Sequence, residues 1–330
     1  GLINPAAAAV VGRLCPWPLL RDLLVGPYGV ITMALTYSLA LVLPIVGTYF
    51  LAFGLLEDSG YLPRLSVMAN RLFRSMGLNG KAILPMVLGL GCDTMATLTT
   101  RVLESKKERL IVIVLLALAV PCSAQLSVIL VMLSPLPPSA LLIWLGVVIL
   151  VMVMVGRLAN RLLPGRGSDF VLELPPLRVP RLSNLAVKTL ARVGWYLREA
   201  VPLFVLGTLL LFGLDRLRLM GQLERLAEPV LVGALDLPAQ AAPAFVLGFL
   251  RRDFGAAGLF DLMRHGRMDA IQAVVAAVTI TLFLPCFANL LVIVKERGLR
   301  TTLAIVAFIL PFAIGVGALV NAVLRAVPLL

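Results

Sequence analysis

LIVIVLLALAVPCSAQLSVILVML, residues 110–133, holds no charged side chain and carries a Pro-Cys pair at its middle. A helix rises about 1.5 Å per residue and a bilayer core is about 30 Å thick, so this stretch reads as a membrane crossing. Pro121 has no N–H and pushes away the carbonyl four residues back. The crossing is therefore broken, and the carbonyl of Ala117 loses its helical donor. At membrane depth such an oxygen is tolerated only against protein or a water-filled cavity.

Similar runs flank it. Ser139–Gly156, Ala270–Val294 and Thr301–Leu324 are uncharged. Ala82–Thr100 is apolar except for Asp93, and Pro243–Phe260 except for Arg251, Arg252 and Asp253. Leu23–Leu56 has no charge but is interrupted at Gly26, Pro27, Gly29, Pro44 and Gly47, which reads as a partial segment followed by a full helix. Ala200–Leu214 is short and follows Trp195 and Tyr196, which suit an interfacial belt. The expected fold is all-α: a polytopic helical membrane protein with about eight membrane segments. Composition agrees. Of 330 residues, 60% are hydrophobic and 14% charged, against about 45–50% and about 25% in a soluble domain. Disorder is excluded by the apolar content, and a disulfide scaffold by having only 4 cysteines.

The net charge of +12 comes from basic residues in short stretches between apolar runs. That pattern points to positive-inside topology and lipid headgroups rather than nucleic acid. Arg101–Arg109 holds four basic and two acidic residues, Arg157–Arg198 eight and two, and the turn between them, Ser134–Pro138, none. The two helices between them form a hairpin with cytoplasmic ends, and counting outward places both termini in the cytoplasm. Glu57–Lys81 resists this count: it falls outside yet contains Arg64, Arg71, Arg74 and Lys81.

An internal repeat runs through the chain. Gly47-Thr48 and Phe53-Gly54-Leu55 match Gly207-Thr208 and Phe212-Gly213-Leu214; Val87-Leu88-Gly89 matches Val246-Leu247-Gly248. Asp93 falls against Asp253, and Pro121-Cys122 with Ala124 against Pro285-Cys286 with Ala288. Repeats with interrupted helices at corresponding places point to a transporter site. The expected organisation is a lead-in over 1–22, a first repeat over 23–134, an extra helix and basic linker over 135–198, a second repeat over 199–295 and a C-terminal helix over 296–330.

Three cysteines sit at the interruptions: Cys92 in GLGCDTMATLTTR, Cys122 in VPCSAQ and Cys286 in LPCFAN. Sulfur, carboxylate and freed carbonyl oxygen together suit a divalent transition metal, so Cys92, Asp93, Cys122 and Cys286 are the candidate metal ligands. A free cysteine is also a common buried hydrophobe, but equivalent Pro-Cys pairs favour the ligand reading. Asp93 is an intramembrane carboxylate and hence a functional candidate; it ligates a cation, carries a proton or pairs with an arginine. Asp253 either shares that role or closes a salt bridge with Arg251 and Arg252. Glu57 and Asp58 either gather cations at an entrance or cap a helix. Met95, Thr97, Ser123, Gln125 and Asn289 complete the pathway candidates. GLNGKA (77–82) lacks the spacing of a phosphate loop and the Ser/Thr after its lysine. His265 is the one histidine, in a charged loop. No hydrolase motif is present, so an enzyme is not expected.

At LLEDSGYLPR (55–64), GLNGKAILPMVLGLGCDTMATLTTR (77–101), VPCSAQ (120–125), LRRDFGAAG (250–258) and LPCFAN (284–289) the sequence resembles the membrane part of the ferrous iron transport protein B family. The resemblance implies two gate motifs, import of Fe²⁺ across the cytoplasmic (inner) membrane, and a pathway lined by Cys92, Cys122 and Cys286. Fe²⁺ is then a substrate, with no permanently bound cofactor. The family commonly has Asn-X-Pro-Ala after the gate cysteine; here Asp93-Thr94-Met95-Ala96 adds a charge and removes a proline. Family members usually begin with a GTP-binding domain, expected here as an upstream or separate partner, with a homo-oligomer a further expectation. Two other classes stand beside this one: a gate-type carrier of an organic solute such as a nucleoside, and a non-transporting membrane assembly subunit.

Overall fold

The computed structural model describes residues 43–165, 180–216, 219–250, 252–283 and 285–327, together with Leu24. The lead-in over 1–22, the interruptions at Gly26, Pro27 and Gly29, residues 166–179 of the basic linker, Arg251 and Leu284 lie outside the described residues. Every described element is helical, as the composition requires. In chain order these are α1 (Leu43–Asp58), α2 (Tyr61–Ser75), α3 (Ile83–Gly91), α4 (Asp93–Thr99), α5 (Lys106–Ala119), α6 (Ser123–Leu133) and α7 (Pro138–Leu162). They continue with α8 (Leu182–Arg216), α9 (Leu219–Leu235), α10 (Ala242–Leu250), α11 (Arg252–Arg264), α12 (Ala270–Leu282), α13 (Phe287–Arg297) and α14 (Leu299–Ala326).

The chain divides into two compact units. One comprises residues 1–61 and 175–222, the other 62–174 and 223–330, so each expected repeat sends residues to both. In the first unit α1 lies along α8, and Leu185 of α8 closes over Gly54, where a Cβ would meet its Cδ1 at 2.7 Å.

Among its described residues the second unit contains four helical spans long and apolar enough to cross a membrane: Lys106–Leu133, Pro138–Leu162, Ala270–Arg297 and Leu299–Ala326. The first and third are the broken ones: α5–α6 at Pro121 and α12–α13 at Pro285. Two expected crossings, Ala82–Thr100 and Pro243–Phe260, turn back on themselves. In α3–α4 both ends sit beside the start of α5: Lys81 Nζ donates to Glu104 Oε1 at 2.7 Å and Asn79 Nδ2 to Glu108 Oε2 at 3.2 Å. The Lys81 hydrogen bond holds the Glu104 carboxyl below its ordinary value. In α10–α11 both ends sit beside the start of α12. Gln272 Nε2 donates to the carbonyl of Asp236 at 2.6 Å, and Asp269 caps α12 through a reciprocal bond with Gln272. The hairpin limbs run from 7 to 13 residues and rise about 10–20 Å, short of a bilayer core. An apolar stretch of about twenty residues has the length of a crossing whether it passes through or returns, so length alone reads both as crossings. Glycine lets the limbs close: a Cβ on Gly255 would lie 2.6 Å from Gly248 Cα and 2.7 Å from the carbonyl oxygen of Ala244.

The repeats are inverted. At one end Arg101 Nε donates to both oxygens of Glu296 at 3.1 Å, and Arg297 Nη2 to the carbonyl of Lys106 at 3.0 Å. The last turn of α13 therefore lies at the first turn of α5. At the other end Ser134–Leu136 and Met268–Ala270 line one cavity of about 620 Å³. So α5–α6 and α12–α13 run antiparallel, and the two hairpins enter from opposite ends.

This geometry corrects the topology count. Because Ala82–Thr100 returns, Lys81 lies at the same end as Arg101–Arg109, and Asn70 of α2 reaches the backbone N–H of Gly80 there at 3.1 Å. The basic stretch that fell on the wrong side belongs with the other basic residues, as the charge rule demands. The end of α14 is displaced by the same logic. Arg325 pairs with Asp236, so that end lies with the Ser134–Pro138 turn, opposite Arg101–Arg109. The end of α14 and Arg101–Arg109 therefore lie at opposite ends of this unit.

Burial is graded across the unit. Residues 111–119 of α5 and 273–278 of α12 are almost wholly buried apart from Val114. The helices α7 and α14 show Leu142, Leu150, Leu303 and Leu319 on the outside.

Two outcomes are expected. In a background without native cysteines, Lys81→Cys and Lys106→Cys label with a membrane-impermeant thiol reagent from one side of oriented vesicles, and Arg267→Cys from the other. Labelling of Lys81→Cys and Lys106→Cys from opposite sides would disprove the returning hairpin. Gly255→Ala lowers stability by about 1–3 kcal/mol through overpacking. Gly146→Ala, with open space around its Cβ, leaves stability unchanged or raises it by up to about 1 kcal/mol; thermal unfolding in detergent compares the two.

Candidate functional site at the hairpin tips

The tips of the two hairpins and the two proline breaks meet in the second unit. Cys92 leaves the helix in an extended conformation (φ −152°, ψ 114°) and N-caps α4. Cys122 N-caps α6 and Cys286 N-caps α13. Each cysteine thus stands where a half-helix begins, at the positive end of its dipole. All three are half-buried and none is in a disulfide. Cys122 and Cys286 lie within electrostatic reach of each other, of Asp93 and of Arg252.

Asp93 opens α4 and Arg252 opens α11. Arg252 Nη1 donates to Asp93 Oδ2 at 2.9 Å, with both side chains 2% exposed. The same guanidinium reaches the first break: Nη1 donates to the carbonyl of Val120 at 3.1 Å and Nη2 to that of Ala117. Ala117 is the residue whose carbonyl Pro121 sets free, so its lost donor is replaced by an arginine from the other repeat. The second break is served in the opposite direction. Gln125 Nε2 of the first repeat donates to the carbonyl of Ile280 at 2.9 Å, and Trp144 Nε1 to Thr281 Oγ1 at 3.1 Å. Thr97 Oγ1 donates to Asn289 Oδ1 at 2.8 Å, joining α4 to α13. Ser123 Oγ donates to the carbonyl of Gly91 at 3.0 Å, pinning the first tip to the first break.

Not every polar atom is matched. Asp93 Oδ1, Gln125 Oε1 and Asn289 Nδ2 are buried without a hydrogen-bond partner among the described residues. Gly89 makes room beside the first of these: a Cβ there would stand 3.5 Å from Asp93 Oδ1 and 2.4 Å from Leu116 Cδ2.

Of the residues singled out by sequence, Cys92, Asp93, Cys122, Cys286, Thr97, Ser123, Gln125 and Asn289 are brought into this region, and Met95 is buried on α4. Among the described residues no three His, Cys, Asp or Glu side chains gather as a group that could hold a metal ion. Asp253 is half-buried in the first turn of α11. Glu57 and Asp58 belong to the first unit, where Arg192 Nη2 donates to Glu57 Oε2 at 2.7 Å and Lys188 pairs with Asp58. From sequence, Arg252 reads only as a partner in a salt bridge at a helix end. The signal for more was its register. The Val-Leu-Gly match has an offset of 159, which sets Asp93 against Arg252 rather than Asp253, and both residues begin the second limb of their hairpins.

A family model for the gate domain, described as nucleoside recognition, matches residues 39–136 and 197–300, the two repeats. A second model, for the ferrous iron transport protein B C terminus, matches residues 141–192 between them. The Fe(2+) transporter FeoB of Staphylococcus aureus (strain COL) is 27% identical over 323 residues, covering 90% of this chain and 48% of the relative. That of Methanocaldococcus jannaschii is 28% identical over 302 residues, covering 80% and 44%. A Fe(2+) transport protein A/Fe(2+) transporter FeoB fusion protein of Porphyromonas gingivalis is 33% identical over 178 residues, covering 52% and 21%. No solved structure matches. The chain spans about half the length of the first two of these relatives. With gate matches over more than half of its length and the C-terminal match set between them, the chain belongs to the ferrous iron transport protein B family.

Proposed function

We propose that the chain forms a membrane path for Fe²⁺ across the cytoplasmic membrane, with the end bearing Arg101–Arg109 in the cytoplasm. The observation that supports this reading is a cysteine at the N-terminus of each of three half-helices, α4, α6 and α13, with α4 packed against α13. A dication must shed water to cross hydrocarbon, and that loss is offset by replacement ligands. Thiol sulfur and main-chain carbonyl oxygen have the softness to replace part of that water at Cys92, Cys122 and Cys286 in turn. A permanent cage would retain the ion, whereas partial sites in succession let it leave. Asp93 supplies a buried carboxylate, Ser123 and Gln125 bond carbonyls at the breaks, and Thr97 with Asn289 joins α4 to α13. Inverted hairpins that meet at mid-depth are suited to alternate opening from either side. A GTP-binding domain, joined or separate, would act on the cytoplasmic end through residues 101–109.

One observation favours a second reading, a carrier of an organic solute. The buried amide atoms Gln125 Oε1 and Asn289 Nδ2 lack partners among the described residues, and a nucleoside could occupy them. A thermal-shift panel of Fe²⁺, Zn²⁺ and nucleosides on the purified chain separates the two by which ligand stabilises it.

In reconstituted vesicles Cys92→Ser, Cys122→Ser and Cys286→Ser each lower anaerobic Fe²⁺ uptake about tenfold or more, the scale on which groups around a metal act. Uptake at the parental rate in all three variants would remove the cysteines from the path.

A further inference from the structure

We infer that Arg252 is a tethered stand-in for the cation: its guanidinium occupies the oxygens that a dication would use, and entry of one requires the other to leave. The inference deepens the reading of the chain as a cation path and rests on it. Three observations carry it. Arg252 binds the central carboxylate, Asp93 Oδ2, at 2.9 Å with both groups buried. It also takes the carbonyl oxygens of Val120 and Ala117, the latter freed by Pro121. Main-chain and carboxylate oxygens with no helical donor are ligands for a hard or borderline cation, and here one side chain satisfies them together. Finally, Asp93 Oδ1 remains buried and unpartnered among the described residues, so the carboxylate keeps an acceptor that the guanidinium does not use.

The arrangement has a physical purpose. An empty carboxylate and two bare carbonyls at mid-depth would be costly, and removing one partner of a buried pair leaves an uncompensated charge. Arg252 neutralises the site when no cation is present. It also links the tip of the second hairpin to the tip and break of the first. A dication that draws Asp93 away would release Arg252 from all three oxygens at once and so uncouple the hairpins. Because the guanidinium is attached, it competes at a fixed local concentration and lowers the apparent affinity for the ion by the fraction of time it vacates the site. Weak binding and a neutral resting state then follow from one residue.

The test is anaerobic Fe²⁺ binding to the purified full chain in detergent, beside uptake in vesicles. Arg252→Gln removes the competitor; it should bind Fe²⁺ about tenfold tighter than the parent and transport more slowly, since the ion is no longer displaced. Asp93→Asn with Arg252→Gln, neutral on both sides, should lose that tight binding. Arg252→Lys pairs with Asp93 but cannot also span both carbonyls, and should bind about threefold tighter than the parent. A folded Arg252→Gln that binds Fe²⁺ no more tightly than the parent overturns the inference. Should that variant not fold, parental affinity in Arg252→Lys overturns it instead. If the parent moves no Fe²⁺ but Arg252→Gln gains Asp93-dependent Fe²⁺ binding, the stand-in role holds and the transport reading fails. If the parent transports and the variants bind as it does, the transport reading stands alone.

Discussion

A main-chain carbonyl without a donor cannot be left bare in hydrocarbon, and the second unit is organised around supplying that donor from elsewhere. Pro121 and Pro285 break the two long spans α5–α6 and α12–α13. Each break draws a polar side chain from the opposite repeat: Arg252 to the carbonyls of Ala117 and Val120, and Gln125 to that of Ile280. The debts are exchanged across the pseudo-symmetry of the fold, so neither repeat completes its own backbone. The Asp93–Arg252 pair follows from the same exchange, because the charge that serves the first break needs a counter-charge in a dry interior. Packing repeats the pattern: α4 lies against α13, and α11 against α6.

Orientation depends on those hairpins. An apolar segment that returns instead of crossing adds no change of side, and each such segment shifts every later assignment by one. Lys81 and Arg101 bracket the first hairpin and lie at one end of the unit, so the basic residues of α2 join those of residues 101–109 and 295–300. The charge pattern had marked this already: Arg64, Arg71, Arg74 and Lys81 stood on a side where they did not belong, which was a symptom of a miscounted turn. Length and hydropathy are blind to it, since about twenty apolar residues serve both purposes.

The facing of the helices was equally hidden. In a soluble protein the core is apolar and the surface polar, so periodicity shows which side is inside. Here the buried residues of α12 and the exposed leucines of α7 and α14 are alike in hydropathy. What distinguishes the contact surfaces is size: Gly255 meets Gly248 and Ala244, and Gly317 lies so near Thr279 and Leu235 that a Cβ would stand 2.3 Å from Thr279 Oγ1. Close approach through small residues is how helices associate when hydrophobic burial gives no net drive.

Sequence alone settled the helical membrane class, the duplication, the break at each Pro-Cys pair and the freed carbonyl of Ala117, because all four are local consequences of hydropathy and of proline's missing N–H. It also singled out Asp93, since a carboxylate in an apolar run is costly wherever it ends up, but left open whether that carboxylate ligates a cation, carries a proton or pairs with an arginine. Tertiary structure decided the rest: which segments return, that the repeats are antiparallel, and that the partner of Asp93 is Arg252, 159 residues away in the chain. Those outcomes depend on which helix ends lie side by side, and no short-range pattern encodes that, because the residues that meet at the tips are adjacent only after both hairpins have folded inward from opposite ends.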